Sequence, residues 1–197
     1  MKALLRPALS LFLLLSLITG VLYPLVVTAI GQLFFPQQVA GSLMGSQGQW
    51  LGSRLIGQAV TDPRYFWGRP SATASYPDNA TASGGSNLGP SNPALLAAVT
   101  ERITALRAAD PDNPLPIPVD LVTASASGLD PHISPAAAYY QINRIAKLRH
   151  LAPTQLQSLV QAHLQAPQWG ILGEARVNVL ELNLALDSLV ASATDKR

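Results

Sequence analysis

The sequence predicts an α+β protein, in which one N-terminal transmembrane helix precedes a single mixed α/β domain outside the cytoplasm. Hydrophobic residues make up 48% of the 197 residues and charged residues only 12%, about half the ~25% typical of soluble chains. No charge occurs between Arg6 and Arg54. We divide the chain into a cytoplasmic tip and helix (1–35), a connector (36–52) and the α+β domain (53–197).

The uncharged run from Pro7 to Phe35 is long enough to cross a bilayer, since roughly 20 apolar helical residues span the hydrocarbon core. Gly20 and Pro24 interrupt this run and predict a kink. Because small residues let a neighbouring helix approach closely, both are candidate partner contacts.

A cleaved secretory signal is the alternative interpretation of this run. Val27, Thr28 and Ala29 form a passable small-residue cleavage pattern. However, the run exceeds the 7–15 apolar residues of a usual signal core, which favours an anchor. Lys2 and Arg6 precede it and no basic residue lies close after it, so the N-terminus is predicted to stay cytoplasmic and the domain to lie outside.

Capping residues and apolar periodicity predict the elements of the domain. Asn92 caps a first helix that begins at Pro93 and ends before Asp110, and Ser134 and Pro135 begin a second. The other predicted elements are a strand at 119–123, the second helix to residue 149, a third helix at 153–165, a strand at 176–182, and a last helix capped by Asn183 and ending near residue 191.

The stretch from residue 65 to 93 is turn-rich but carries the aromatic residues Tyr65, Phe66, Trp67 and Tyr76. Disordered linkers seldom hold so many aromatic residues, so this stretch is expected to pack on the domain. Arg69 is interpreted either as a functional cation or as a cation stacked on Tyr65 or Trp67.

The sequence gives little support for a catalytic or metal site. Ser127, Asp130 and His132 supply the groups of a serine hydrolase, but close neighbours in sequence rarely form a triad, and local hydrogen bonding by Asp130 with His132 anchoring the loop is favoured. The three histidines lack metal-ligand spacing, cysteine is absent, and no basic run suits nucleic acid. A binding or assembly role is therefore predicted, without a catalytic or metal site.

Gly84 and Gly85 suggest a phosphate-binding loop at first sight. The Gly-Lys-Ser/Thr ending of that motif is missing, and no apolar strand runs directly into the pair. A turn is therefore the favoured interpretation from the residues alone.

Five sequence blocks, in this order, resemble the C subunit of the bacterial Kdp potassium-transporting P-type ATPase. They are 52–58 (GSRLIGQ), 65–72 (YFWGRPSA), 83–88 (SGGSNL), 127–135 (SGLDPHISP) and 177–183 (VNVLELN). Together with the N-terminal anchor, the similarity covers nearly the whole chain.

The resemblance implies an inner-membrane accessory subunit, not itself an enzyme, that works with a pore-forming potassium-binding subunit, an ATP-hydrolysing subunit and a small membrane subunit. It also implies a catalytic chaperone that raises the ATP affinity of the hydrolysing subunit, with ATP as a loosely held ligand and no tightly bound cofactor. The predicted nucleotide site is Ser83, Gly84, Gly85, Ser86 and Asn87.

Partner contacts in the domain are predicted at Tyr65, Phe66, Trp67, Arg69, Asp130 and His132. The predicted topology conflicts with nucleotide binding, because an outward-facing domain does not meet cytoplasmic ATP. The alternative function is a domain that braces the pore mouth or filters ions entering it, without binding nucleotide.

Overall fold

A computed structural model describes residues 2–46 and 49–194, and the chain forms two compact units, residues 1–43 and 44–197. The first unit is mainly helical. Its apolar helix is the one helix among the described residues that is long and apolar enough to cross a membrane, with 31 residues from Leu4 to Phe34. Its segments are α1 (Lys2–Leu17), a π-helical turn (Ile18–Leu22) and α2 (Tyr23–Phe34).

The π-helical turn contains Gly20, and Pro24 lies at the start of α2. A side chain at residue 20 would meet no neighbouring atom. The departure from regular α-helical hydrogen bonding thus occurs where the sequence predicts a kink.

The connector region contains regular elements that its Gly, Gln and Ser content did not predict. A short helix, α3, spans Pro36–Val39. Two strands follow, β1 (Leu43–Ser46) and β2 (Gln49–Ser53), and they pair as a two-stranded sheet.

The second unit combines four helices with a small antiparallel sheet of order β3-β5-β4. Val177 lies at its centre, opposite Ile133 on one side and Leu164 on the other. The mixed α+β class is therefore confirmed. The elements are α4 (Pro93–Ala109), a 3-10 turn (Val119–Leu121), β3 (His132–Ile133), α5 (Pro135–Arg149), α6 (Pro153–Ala162), β4 (Leu164–Gln165), β5 (Arg176–Asn178) and α7 (Val179–Thr194).

Two helix starts were predicted from a polar capping residue followed by proline, and both are confirmed. The side-chain oxygen of Asn92 accepts the amide of Ala94 at 2.9 Å. That of Ser134 accepts the amide of Ala137 at 3.0 Å. Each bond satisfies an amide that has no partner within its own helix, and the following proline needs none.

The strand predicted at 176–182 is wrong beyond Asn178, where α7 begins. Asn178, rather than Asn183, accepts a first-turn amide of α7, that of Glu181, at 3.1 Å. The buried residues Val179, Leu182, Asn183 and Leu186 have helical spacing, which the alternation of Val177 and Val179 concealed.

Two other boundaries also differ from prediction. Residues 119–123 form a 3-10 turn instead of a strand, closed by the Thr123 hydroxyl, which donates to the carbonyl of Val119 at 2.8 Å. The third helix ends at Ala162 rather than residue 165, because Leu164 and Gln165 pair with β5.

The hydrophobic core lies between α5, α6, α7 and the sheet. Its largest fully buried apolar side chains come from all of these elements and from one irregular segment, and they are Ile133, Ile145, Leu156, Val160, Val177, Leu182, Leu186 and Phe66. Phe66 belongs to residues 54–92, which form neither helix nor strand. The expectation that the aromatic stretch packs on the domain is confirmed.

Two buried side-chain amides hold the backbone at Phe66 and Trp67. The Asn183 amide accepts the N–H of Phe66 at 2.9 Å and donates to its carbonyl at 3.0 Å. Gln141 does the same for Trp67, at 2.8 and 3.1 Å. These four bonds replace those that a neighbouring strand would supply, since buried backbone groups need partners.

We expect Asn183→Leu to lower the free energy of unfolding by about 2–4 kcal/mol, because it leaves the buried N–H and carbonyl of Phe66 unpaired. Chemical denaturation of the full-length chain in detergent measures this. Asn143→Leu makes the same chemical change on the exposed side of α5 and should cost less than about 0.5 kcal/mol. Equal losses for the two variants would contradict the role assigned to Asn183.

Candidate functional site

Three loops meet beside the aromatic segment, and we call this region the loop junction. It comprises residues 69–79, 83–87 and 124–132. The Ser71 hydroxyl donates to the carbonyl of Gly128 at 2.7 Å, and the amide of Gly84 donates to the carbonyl of Ser127 at 2.8 Å. The junction therefore brings together three of the sequence blocks that carry the family resemblance.

Cations from α5 cover the aromatic residues that precede the junction. The Arg144 guanidinium lies 4.5 Å from the ring centre of Trp67, and that of Arg149 lies 4.3 Å from that of Tyr65. Arg144 also donates to the carbonyls of Pro63 and Tyr65. Burial lowers the pKa of Arg144 to about 10, so the group stays charged at neutral pH. Of the two alternatives for Arg69, stacking on these rings is not observed, since Arg144 and Arg149 cover them.

Arg69 instead pairs with Asp130, at 3.4 Å from Nη1 to Oδ2. Its Nη2 lies 3.5 Å from the carbonyl of Ala124. Its buried Nε has no hydrogen-bond partner among the residues that the structure describes. The guanidinium is thus held by long contacts at the centre of the junction.

Asp130 joins the two other predicted partner contacts of the junction. Its Oδ1 accepts the His132 amide at 3.0 Å and lies 3.2 Å from the His132 Nδ1. Burial opposes ionisation, but these bonds and the charge of Arg69 outweigh it, and the pKa of Asp130 lies below its ordinary value. Local bonding by Asp130, the favoured interpretation of this motif, is confirmed.

The hydroxyl of Ser127 accepts the amide of Leu129 at 3.1 Å. No hydrogen bond joins Ser127 to His132 among the described residues. Asp130 and His132 therefore form an isolated pair. The hydrogen bond from the histidine to a nucleophile, which a hydrolytic triad requires, is missing among the described residues.

The glycine tract packs closely on the loop around Ala126. The Ser83 hydroxyl donates to the carbonyl of Ser127 at 3.1 Å. A Cβ atom added to Gly85 would lie 2.9 Å from the carbonyl oxygen of Ala126. Gly128 has a φ of 66°, and a Cβ there would lie 2.7 Å from the carbonyl oxygen of Gly84. Close backbone approach therefore explains both glycines.

The next three amides of the tract, those of Gly85, Ser86 and Asn87, donate no hydrogen bond to the described residues. Ser86 and Asn87 are exposed. Successive free amides can hold an anion, and the nucleotide site at residues 83–87 stays a prediction.

A cleft of about 230 Å³ lies beside the junction, between β2 and α7. Apolar side chains such as Val60 and Leu184 form most of its wall, together with Arg69, Asp78 and Asp130. No described residue pairs with the Asp78 carboxylate, and burial raises the pKa of this group. No group of three His, Asp or Glu side chains in the described part of the chain has the geometry to hold a metal ion.

Sequence reasoning missed several residues that shape this region. They are the polar groups Gln141, Arg144, Arg149 and Asn183 on helices, Asn178 at the end of β5, and Asp78 in the cleft. Gln141 and Asn183 offered a signal, since each polar side chain interrupts an apolar helical face. The predicted helix contacts Gly20 and Pro24 lie exposed on the apolar helix.

A family model described as K+-transporting ATPase, c chain, KdpC, matches residues 5–188. The chain belongs to the KdpC family. This confirms the resemblance, which the five blocks had indicated. Because the match includes both the apolar helix and the loop junction, it applies to both compact units.

Relatives within the KdpC family are similar over almost their whole length. A potassium-transporting ATPase KdpC subunit of Dechloromonas aromatica is 62% identical over 189 residues, covering 96% of this chain and 99% of the relative. That of Variovorax paradoxus is 64% identical over 192 residues, covering 98% and 100%. That of Herpetosiphon aurantiacus is 59% identical over 189 residues, covering 96% and 98%.

The two aspartates of the cleft should respond to pH with opposite signs. The raised pKa of Asp78 means that its charge destabilises the fold above its ordinary pKa of 3.8, whereas the lowered pKa of Asp130 means that its charge stabilises the fold there. At pH 7, Asp78→Asn should raise the Tm by roughly 2 °C, and Asp130→Asn should cost about 1 kcal/mol.

The Asp78 difference should disappear as the pH falls from the raised folded pKa to the unfolded value of 3.8, and the Asp130 difference should shrink below 3.8 as the pH falls toward the lowered folded pKa. Thermal unfolding from pH 3 to pH 7 measures this. Asp112→Asn is the control, since that side chain is 81% exposed. Destabilisation by both cleft variants at pH 7 would contradict the assignment for Asp78.

Proposed function

We propose that this chain is the accessory subunit of an ATP-driven potassium uptake complex and raises the ATP affinity of the hydrolysing subunit by stabilising the assembly. Membership of the KdpC family over residues 5–188 carries the proposal, because the relatives are named as subunits of a potassium-transporting ATPase. Its partners would be the pore-forming, ATP-hydrolysing and small membrane subunits.

The loop junction suits a docking role better than a chemical one. Its candidate nucleophile, Ser127, bonds to a local amide, and Asp130 is held by Arg69 and His132. Such internal bonds fix a surface in one shape, which lowers the ordering cost of binding a partner. Phe66 is fully buried and would support this surface from beneath.

The apolar helix gives the proposal its second contact region. Leu4–Phe34 is uncharged apart from Arg6 near its start. Within the proposal, the helix crosses the inner membrane with its N-terminus in the cytoplasm, as Lys2 and Arg6 favour. Gly20 and Pro24 would then let a helix of a partner subunit approach closely.

Replacing residues 4–34 by an unrelated single-pass helix should abolish co-purification of the chain with the other subunits, because the domain alone would retain only part of the contact surface. Pull-down from detergent-solubilised membranes measures this. Gly20→Leu should weaken recovery, whereas Leu13→Phe, an exposed apolar exchange on the same helix, is the control. Intact assembly with the foreign helix would overturn the proposed role of the helix.

Direct nucleotide binding at residues 83–87 is the second candidate function. The free amides of Gly85, Ser86 and Asn87 support it, since backbone N–H groups are common ligands of phosphate. It requires the domain to meet ATP, which an outward-facing domain does not. Labelling of Ser91→Cys by a membrane-impermeant maleimide in intact spheroplasts tests the side, because the chain has no cysteine of its own.

If the tract binds ATP, Ser86→Asp should weaken binding about tenfold by charge repulsion at an exposed position. Ser86→Asn, similar in size but neutral, should change it little. Calorimetry of the full-length chain in detergent with Mg-ATP measures both. Gly85 is unsuitable for this test, since any side chain there meets Ala126. Equal heats for all three proteins would remove nucleotide binding at this tract.

A further inference from the structure

The hairpin at residues 167–173, which connects β4 to β5, exposes large apolar side chains. Trp169 is 87% exposed, Ile171 80% and Leu172 51%. The proposed function uses none of these side chains. A contiguous apolar group of this kind is unusual on a domain surface and marks an interaction site.

The backbone of the hairpin is closed upon itself. Gln168 and Leu172 exchange two hydrogen bonds of 2.9 Å, and the amides of Gly170 and Ile171 donate to the carbonyls of Pro167 and Gln168 at 3.0 and 3.2 Å. Two of the three backbone N–H groups at its tip, residues 169–171, are therefore paired, whereas the three tip carbonyls accept no hydrogen bond from the described residues. Such a tip suits the hydrated headgroup region rather than the hydrocarbon core, where every backbone polar group needs a partner.

The turn places its tryptophan at the tip in a demanding conformation. Trp169 has a φ of 53° and Gly170 a φ of 79°. Two successive positive φ angles are typical of type I′ turns, where Asn, Asp or Gly usually occupies the first central position. Tryptophan is therefore not the residue that the backbone favours at this position. Its presence is best explained by a contact that its exposed ring makes with another surface.

The charge distribution favours lipid over a protein as the surface that the Trp169 ring contacts. Residues 167–173 carry no charge, and the nearest charged residues are Glu174 and Arg176 at the base. Arginine commonly accompanies the aromatic anchors of protein-binding surfaces, and residues 167–173 contain none. Trp with flanking aliphatic residues is instead the composition of the membrane interface, where the indole N–H meets headgroups.

The chain also carries a helix that would hold the domain close to a bilayer. The helix that can cross a membrane ends at Phe34, and β1 begins at Leu43. The intervening residues, 35–42, reach at most about 30 Å when extended. A short tether of this kind keeps the bilayer at a high effective concentration near the domain.

We propose that the Trp169 hairpin, residues 167–173, inserts into the lipid headgroup region as a second, peripheral membrane contact, with Trp169 and Ile171 as its anchors. Glu174 and Arg176 would remain in the aqueous layer. The hairpin would thereby restrict how the domain moves on its tether.

A nitroxide attached to Gln168→Cys tests this in the full-length chain reconstituted in phosphatidylcholine vesicles. The chain has no other cysteine. Power saturation compares collisions with oxygen, which is enriched in lipid, and with a water-soluble nickel chelate. We expect oxygen to dominate at residue 168, and the chelate to dominate at the control Ser91→Cys, an exposed polar loop position.

Trp169→Ser combined with Ile171→Ser should lower the inserted fraction about tenfold or more and return the label to water. Chelate access to residue 168 equal to that at residue 91 would overturn the proposal. So would a label that stays in lipid after both serine exchanges, or one that is shielded only after the other subunits are added. The last result would assign the hairpin to a subunit contact and leave the proposed assembly role standing.

Discussion

The pairing of Asn183 and Gln141 with the backbone of Phe66 and Trp67 is the constraint on which the domain depends. Residues 54–92 form no helix or strand, so they lack the regular bonds that normally offset the entropy of ordering a long segment. The two amides supply such bonds from α7 and α5. They place Phe66 in the core, and the fold of the segment then depends on helices more than 70 residues later in the chain.

This constraint also positions the loop junction. Arg69 follows the anchored backbone by two residues and reaches Asp130, while Arg144 and Arg149 close over the aromatic rings. Three guanidinium groups thus lie around a segment with few charges of its own. Arg144 and Arg149 are paired with carbonyls, a carboxylate and ring faces, which is how buried cations become tolerable, whereas the buried Nε of Arg69 has no partner among the described residues. The junction is therefore an ordered surface whose shape follows from the core.

The sequence predicted elements whose signals are local. Asn92 and Ser134, each followed by proline, fixed two helix starts, and the uncharged run between Arg6 and Arg54 indicated the apolar helix. The prediction of secondary structure failed at Val177 to Asn183, where a short strand passes directly into a helix and the apolar spacing fits either element. Sequence reasoning also missed the partners of Arg69, since distant residues choose which carboxylate or ring a guanidinium meets. The nucleotide site and the identity of the partner subunits came from resemblance, and the contacts of the junction could not have been deduced from spacing.

The chain separates two kinds of surface by composition. The loop junction is polar and internally bonded, which suits a specific partner because complementary polar groups reject wrong ones. The apolar helix and the Trp169 hairpin carry no charged residue at their centres, which suits lipid and closely packed helices. The proposed assembly role would use both properties, since attachment to the membrane would limit where the domain can search and the polar surface would then select what it binds.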